Sequence, residues 1–98
     1  MKKQKINKYA QDIQAELDLH GMIRSEANRS IDDFLDDSVE KGFKKVLIIT
    51  GKGLHSKDGE VLRSLCVRIL KDRGISFKNA KYNQGGQGAI EIDLIDDI

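Results

Sequence analysis

Five consecutive residues, Val46-Leu47-Ile48-Ile49-Thr50, are aliphatic or β-branched and stand between two stretches of helical periodicity. A run this short and this apolar predicts a strand covered on both faces or central in its sheet. Upstream, Ala27, Ile31, Phe34, Leu35 and Val39 fall at helical spacing, predicting a helix from about Ser25 to Lys41 capped by Gly42. Downstream, Val61, Leu62, Leu65, Cys66, Ile69 and Leu70 share one helical face, Arg63, Arg68, Lys71 and Asp72 take the other, and Gly74 ends the element. A central strand needs neighbours. Ile13 to Leu19 reads as a short first strand, and the more polar Ile75 to Tyr82 as an edge strand. Ile90, Ile92 and Leu94 alternate with Ala89, Glu91 and Asp93, predicting a last strand with one buried and one polar face. The order is βαβαββ, an α/β chain with a partly parallel sheet. Right-handed crossovers then put both helices on one face.

With 98 residues there is room for one domain and one core. The reading is a basic N-terminal extension or linker over 1–13, the domain over 14–95 and an acidic tail over 96–98. No apolar run approaches the length of a membrane helix, and the opening MKKQKINKYAQDIQ lacks the apolar stretch of a secretory signal. The single cysteine, Cys66, cannot form an intramolecular disulfide, so a cytoplasmic location is expected. One cysteine and two histidines cannot build the usual zinc finger. The net charge of +1 does not by itself announce a nucleic-acid partner, although the charges are unevenly spread.

In open α/β sheets ligands gather beyond the carboxyl ends of the parallel strands, where two of the polar motifs fall. In Leu17-Asp18-Leu19-His20-Gly21, Asp18 and His20 lie two residues apart and project to one side of a strand. An aspartate there can orient an imidazole, and a histidine of near-neutral pKa can move a proton at a phosphodiester oxygen. The plainer alternative is a histidine that ends a strand and bonds locally. In Thr50-Gly51-Lys52-Gly53-Leu54-His55-Ser56, glycines let amides approach an anion ahead of a helix N-terminus, with Lys52, His55 and Ser56 as further donors. The spacing of a P-loop is absent, which argues against a nucleotide hydrolase. Gly85-Gly86-Gln87-Gly88 could be a simple hairpin connection unless the fold sets it beside the other two. Arg24, at the entrance to the first helix, can reach a phosphate or simply solvate the surface. Cys66 reads as core. Asp32, Asp33, Asp36 and Asp37 read as a solvated helix face. Asp18, His20 and His55 are too generic a set to assign a metal.

The segments LDLHG (17–21), TGKGLHS (50–56) and GGQGAIEIDL (85–94), in this order and spacing, resemble the small MutS-related (Smr) domain. The resemblance implies an α+β two-layer sandwich, two helices on a four-stranded mixed sheet, similar to the C-terminal domain of translation initiation factor three. It also implies a last strand antiparallel to the rest, which would bring all three motifs to one pocket. It further implies a nucleic-acid-binding module, an endonuclease on RNA or DNA in several members, with some members associated with ribosomes. By position, Asp18 and His20 match the catalytic motif, while Gly51, Lys52 and Gly53 and then Gly85, Gly86 and Gly88 match the glycine motifs. A metal such as Mg or Mn would serve a DNA substrate, and the isolated domain is expected to be a monomer. The alternatives are a non-catalytic module for structured nucleic acid or the ribosome, and a protein-interaction unit using the acidic helix. Members commonly carry threonine where this chain has Ile23. Losing that cap costs roughly 1 kcal/mol unless Ser25 caps slightly later.

Overall fold

The computed structural model describes residues 13–51, 57–80 and 88–94, with backbone alone at 57–59. The elements are β1 (Glu16–Asp18), α1 (Arg24–Glu40), β2 (Lys45–Ile49), α2 (Lys57–Arg73), β3 (Ser76–Asn79) and β4 (Ala89–Asp93). Among the described residues they make a four-stranded sheet in the order β1-β2-β4-β3. β1 runs parallel to β2, and β4 runs antiparallel to both β2 and β3. The aliphatic run of β2 is therefore central, and the polar β3 is an edge, as their compositions predict. The first strand is shorter than Ile13 to Leu19. Its ladder nevertheless extends at both ends, through Gln14 N–H to the Lys45 carbonyl at 2.8 Å and Leu19 N–H to the Ile49 carbonyl at 2.8 Å.

Both helices pack on one face of the sheet. Ala27, Ile31 and Leu35 of α1 and Leu62, Leu65, Cys66 and Leu70 of α2 share a core with Leu19, Val46, Ile48, Ile90 and Ile92. Two positions depart from the sequence pattern. Val39 is 57% exposed and Val61 43% exposed. After 27, 31 and 35 the next inward position at 3.6 residues per turn is 38, and Ser38 is buried there without a hydrogen-bond partner for its Oγ among the described residues. Both helices end in paired bonds of the Schellman type: Phe43 N–H to the Ser38 carbonyl with Gly42 N–H to Val39, and Ile75 N–H to Leu70 with Gly74 N–H to Lys71.

The acidic face of α1 is more than solvated surface. Asp36 and Asp32 each hold the Arg73 guanidinium at 3.0 Å, tying the last turn of α2 to α1, and Asp37 pairs with Lys41 at 3.0 Å. Partial burial opposes the charge on Arg73, but its bonds to Asp36 and Asp32 outweigh that and raise its pKa.

The helix-free face also differs from a plain polar exterior. Leu47, Ala80 and Ala89 cluster there with Ile13 and Ile49 against them. Beside them Glu91, expected on the polar side of β4, is only 2% exposed. Its carboxylate meets Lys45 at 3.2 Å and Lys78 at 3.7 Å, and Lys45 also reaches Asp93 at 3.5 Å. The alternation of β4 is thus correct in direction, but neighbouring side chains cover its acid. No helix among the described residues is long and apolar enough to cross a membrane.

Candidate nucleic-acid site

The fold sets the carboxyl ends of β1 and β2 beside the amino end of β4, at the edge where α1 begins. Leu19 is fully buried and anchors the end of β1. From it the chain turns through His20 and Gly21, closed by Met22 N–H on the Leu19 carbonyl at 2.9 Å. Gly21 sits at φ +84°, the third-position value of a type II turn, where a side chain is strained. His20, at the tip, is exposed.

Asp18 is placed by the same turn, but not as the sequence suggested. Its Oδ1 accepts the backbone N–H of His20 at 2.9 Å. The carboxylate therefore braces the turn that presents the imidazole, instead of bonding to the ring. Side chains of Asp and Asn commonly brace turns through an amide two residues on.

The second and third motifs meet at one atom. The Gly88 carbonyl accepts Thr50 N–H at 2.8 Å, Gly51 N–H at 3.1 Å and the Thr50 hydroxyl at 3.3 Å. Thr50 is 1% exposed and Gly88 is buried. Three donors on one carbonyl fix the end of β2 against the start of β4, so Thr50 and Gly51 of the second motif lie against Gly88 of the third. Gly51 has φ +91°, and nothing lies within 4 Å of where a Cβ would be. The hairpin reading of the third motif is thereby extended, since its end is bonded to the second motif. Thr50 was visible in the sequence as a hydroxyl at a strand's end, but its role as clamp depends on a partner 38 residues away.

Arg24 is the first residue of α1 and is exposed at this edge. Ser25 does not cap the helix. The N-cap is Ile23, whose N–H donates to Glu26 Oε1 at 3.3 Å. This is the carboxylate half of a capping box without its hydroxyl half. Lys52, Gly53, His55, Ser56, Gly85 and Gly86 lie outside the described residues. At the end of β3, Asn79 Oδ1 accepts a hydrogen bond from Arg63 of α2, a link that sequence spacing did not suggest. Cys66 is fully buried, and burial pushes its thiol up to about 12 while Arg63 works weakly the other way. It is core, as its helical face predicts. Among the described residues no three His, Cys, Asp or Glu gather to hold a metal ion.

Comparison with known proteins gives this geometry a family context. The family model described as Smr domain matches residues 17–95. A protein named Endonuclease MutS2 from Finegoldia magna is 38% identical over 89 residues, 90% of this chain but 11% of the relative. A Smr domain-containing protein of Schizosaccharomyces pombe is 34% identical over 71 residues, 71% of this chain and 34% of its own length. The chain therefore spans only a small part of these relatives. The crystal structure of the Smr domain of Thermus thermophilus MutS2 superposes with a TM-score of 0.74 at 26% identity, covering 85% of this chain and all of that one. YdaL, a stand-alone small MutS-related protein from Escherichia coli, shares the fold with a TM-score of 0.79 at 20% identity, covering 98% of this chain and 82% of its own.

Proposed function

The chain belongs to the Smr domain family, and from that premise we propose that it binds a nucleic-acid phosphate at the β1–β2–β4 edge and cleaves the adjoining phosphodiester. The observation that carries the reading is the double anchorage of this edge: the Asp18-braced turn that exposes His20, and the Gly88 carbonyl that binds Thr50 and Gly51. Relatives named Endonuclease MutS2 support the same reaction class.

In this proposal the backbone around Gly51 and Gly53, with Gly85, Gly86 and Gly88, holds the phosphate. Lys52 and Arg24 offset its charge, and His55 and Ser56 donate further hydrogen bonds. His20 takes the proton from the attacking oxygen. With RNA that oxygen is the substrate's own 2′-hydroxyl: the new O–P bond closes a cyclic phosphate, the bond to the 5′-oxygen breaks, and that oxygen takes a proton from water. With DNA a water must attack, and a divalent ion such as Mg or Mn would assist. The sparse set of metal-ligating side chains at this edge among the described residues favours RNA.

Asp18 favours a second reading. Its carboxylate braces backbone and leaves the imidazole without that orienting partner, as suits a non-catalytic module that binds structured nucleic acid or a ribosomal surface.

The test compares the protein with its His20→Ala variant on labelled single-stranded RNA and supercoiled plasmid, with magnesium, manganese or EDTA. Product lost in His20→Ala supports the nuclease and names its substrate and metal need. Binding without product from either protein supports the module. Equal cleavage by both removes His20 from the chemistry.

A further inference from the structure

The two helices differ in charge: the outer face of α1 beyond Arg29 is acidic, while cations predominate along a groove on α2. α1 carries Arg24 and Arg29 in its first turns and then displays Asp32, Asp33, Asp36, Asp37 and Glu40, with Arg73 paired to Asp32 and Asp36 and Lys41 to Asp37. On α2 a shallow groove runs past Arg63, Val67, Arg68 and Lys71, with Asp72 as the one carboxylate among its described lining. Arg68 and Lys71 are exposed, and no ion pair of theirs exists among the described residues. At its upper end Arg63 is bonded to Asn79, the last residue of β3. β3 runs in the same direction as β1 and β2, so that end of the groove opens at the edge where His20 and Gly51 lie.

We propose that this groove on α2 is a track for the sugar–phosphate backbone of the nucleic acid held at that edge, with Arg63, Arg68 and Lys71 as its phosphate contacts. The inference rests on the nucleic-acid reading above and adds the direction in which the strand leaves the site. From position 63 to 71 the helix rises about 12 Å. A single strand carries a phosphate every ~3.4 Å of stacked length, so the groove spans roughly three to four nucleotides. Leaving along α1 would instead bring phosphates, beyond Arg29, against a face whose five carboxylates are offset only in part by Arg73 and Lys41. Half-buried Val67 between the cations gives the sugars an apolar floor. Contacts of this kind position a strand without reading its sequence.

The test is anisotropy of labelled single-stranded RNA of 4, 8 and 12 nucleotides across a salt series, with Arg68→Ala/Lys71→Ala as variant and Asp33→Asn on α1 as control. Circular dichroism confirms that each is folded. The double variant is expected to lower the salt slope by about 1.4, weaken the 12-mer roughly tenfold at 0.2 M salt, and lose the gain in affinity from 4 to 12 nucleotides. Asp33→Asn is expected to leave all three unchanged. A 12-mer bound by wild type and double variant with the same slope overturns the track while leaving the site at the strand ends standing. Wild type that binds no oligonucleotide overturns the track and, with it, single-stranded RNA as the ligand of the site.

Discussion

The carboxylate of Asp18 receives the backbone N–H of His20 at 2.9 Å, so the two motif residues are joined through the main chain of the turn. Replacing Asp18 by Ala removes the acceptor, whereas Asn keeps one in the same place. An exposed hydrogen bond of this kind contributes about 0.5–1.5 kcal/mol. Asp18→Ala is expected to lose that much in urea denaturation and to reduce the cleavage proposed for His20. Asp18→Asn is expected to recover most of both. A role for the carboxylate's charge on the imidazole would instead make Asn as damaging as Ala in activity while sparing stability.

Gly21 tests the same turn from its other side. At φ +84°, with nothing within 4 Å of a Cβ, alanine meets no neighbour and suffers only backbone strain, about 1–2 kcal/mol. Gly21→Ala is expected to lower the melting temperature accordingly. It should also shift the amide resonances of Leu19 to Met22 while leaving those of α2 in place.

Glu91 supplies a prediction about the opposite face. It is nearly inaccessible between Lys45 and Lys78, and removing it leaves half-buried Lys45 with Asp93 at 3.5 Å as its remaining carboxylate of this group. Glu91→Ala is expected to cost about 2–3 kcal/mol in chemical denaturation, and Glu91→Gln less, because it fills the same space and can still accept a hydrogen bond.

Cys66 should be silent in the native protein. With its thiol pushed up to about 12 by burial, almost no thiolate exists at pH 8, and thiol reagents should label it only after denaturant is added. The unfolded thiol titrates near 9 and the folded one near 12. Between those values the unfolded chain has lost a proton that the folded chain keeps, so this group's contribution to stability falls as pH rises from about 9 toward 12.

Fold and site were legible to different degrees. The Val46 to Thr50 run and the two helical faces carry their own periodicity, so strand order in the chain and the shared helical face follow from local pattern. Val39 and Ser38 exchange roles because the inward stripe of a helix is set by its partner helix and sheet, which hydrophobicity alone does not report. Glu91 was readable as facing away from the helices, but its cover comes from Lys45 and Lys78 on two other strands, far away in sequence. Asp18 and His20 were identifiable by spacing. Which atoms of the pair meet depends on the turn at Gly21, and a strand's alternation does not specify it. The convergence of the second and third motifs rests on the antiparallel pairing of β4 with β2, through Gly88 and Thr50, for which the residues alone offered only the family resemblance.

The measurement that bears most directly on the account is amide mapping by two-dimensional NMR while a short single-stranded RNA is titrated into the protein. The expected perturbations centre on Asp18 to Met22, Thr50, Gly51 and Gly88, with weaker changes along Arg63 to Lys71. Saturable changes confined to β3 and the helix-free face around Glu91, with the His20 and Gly51 amides unmoved, would contradict the assignment of the site to this edge.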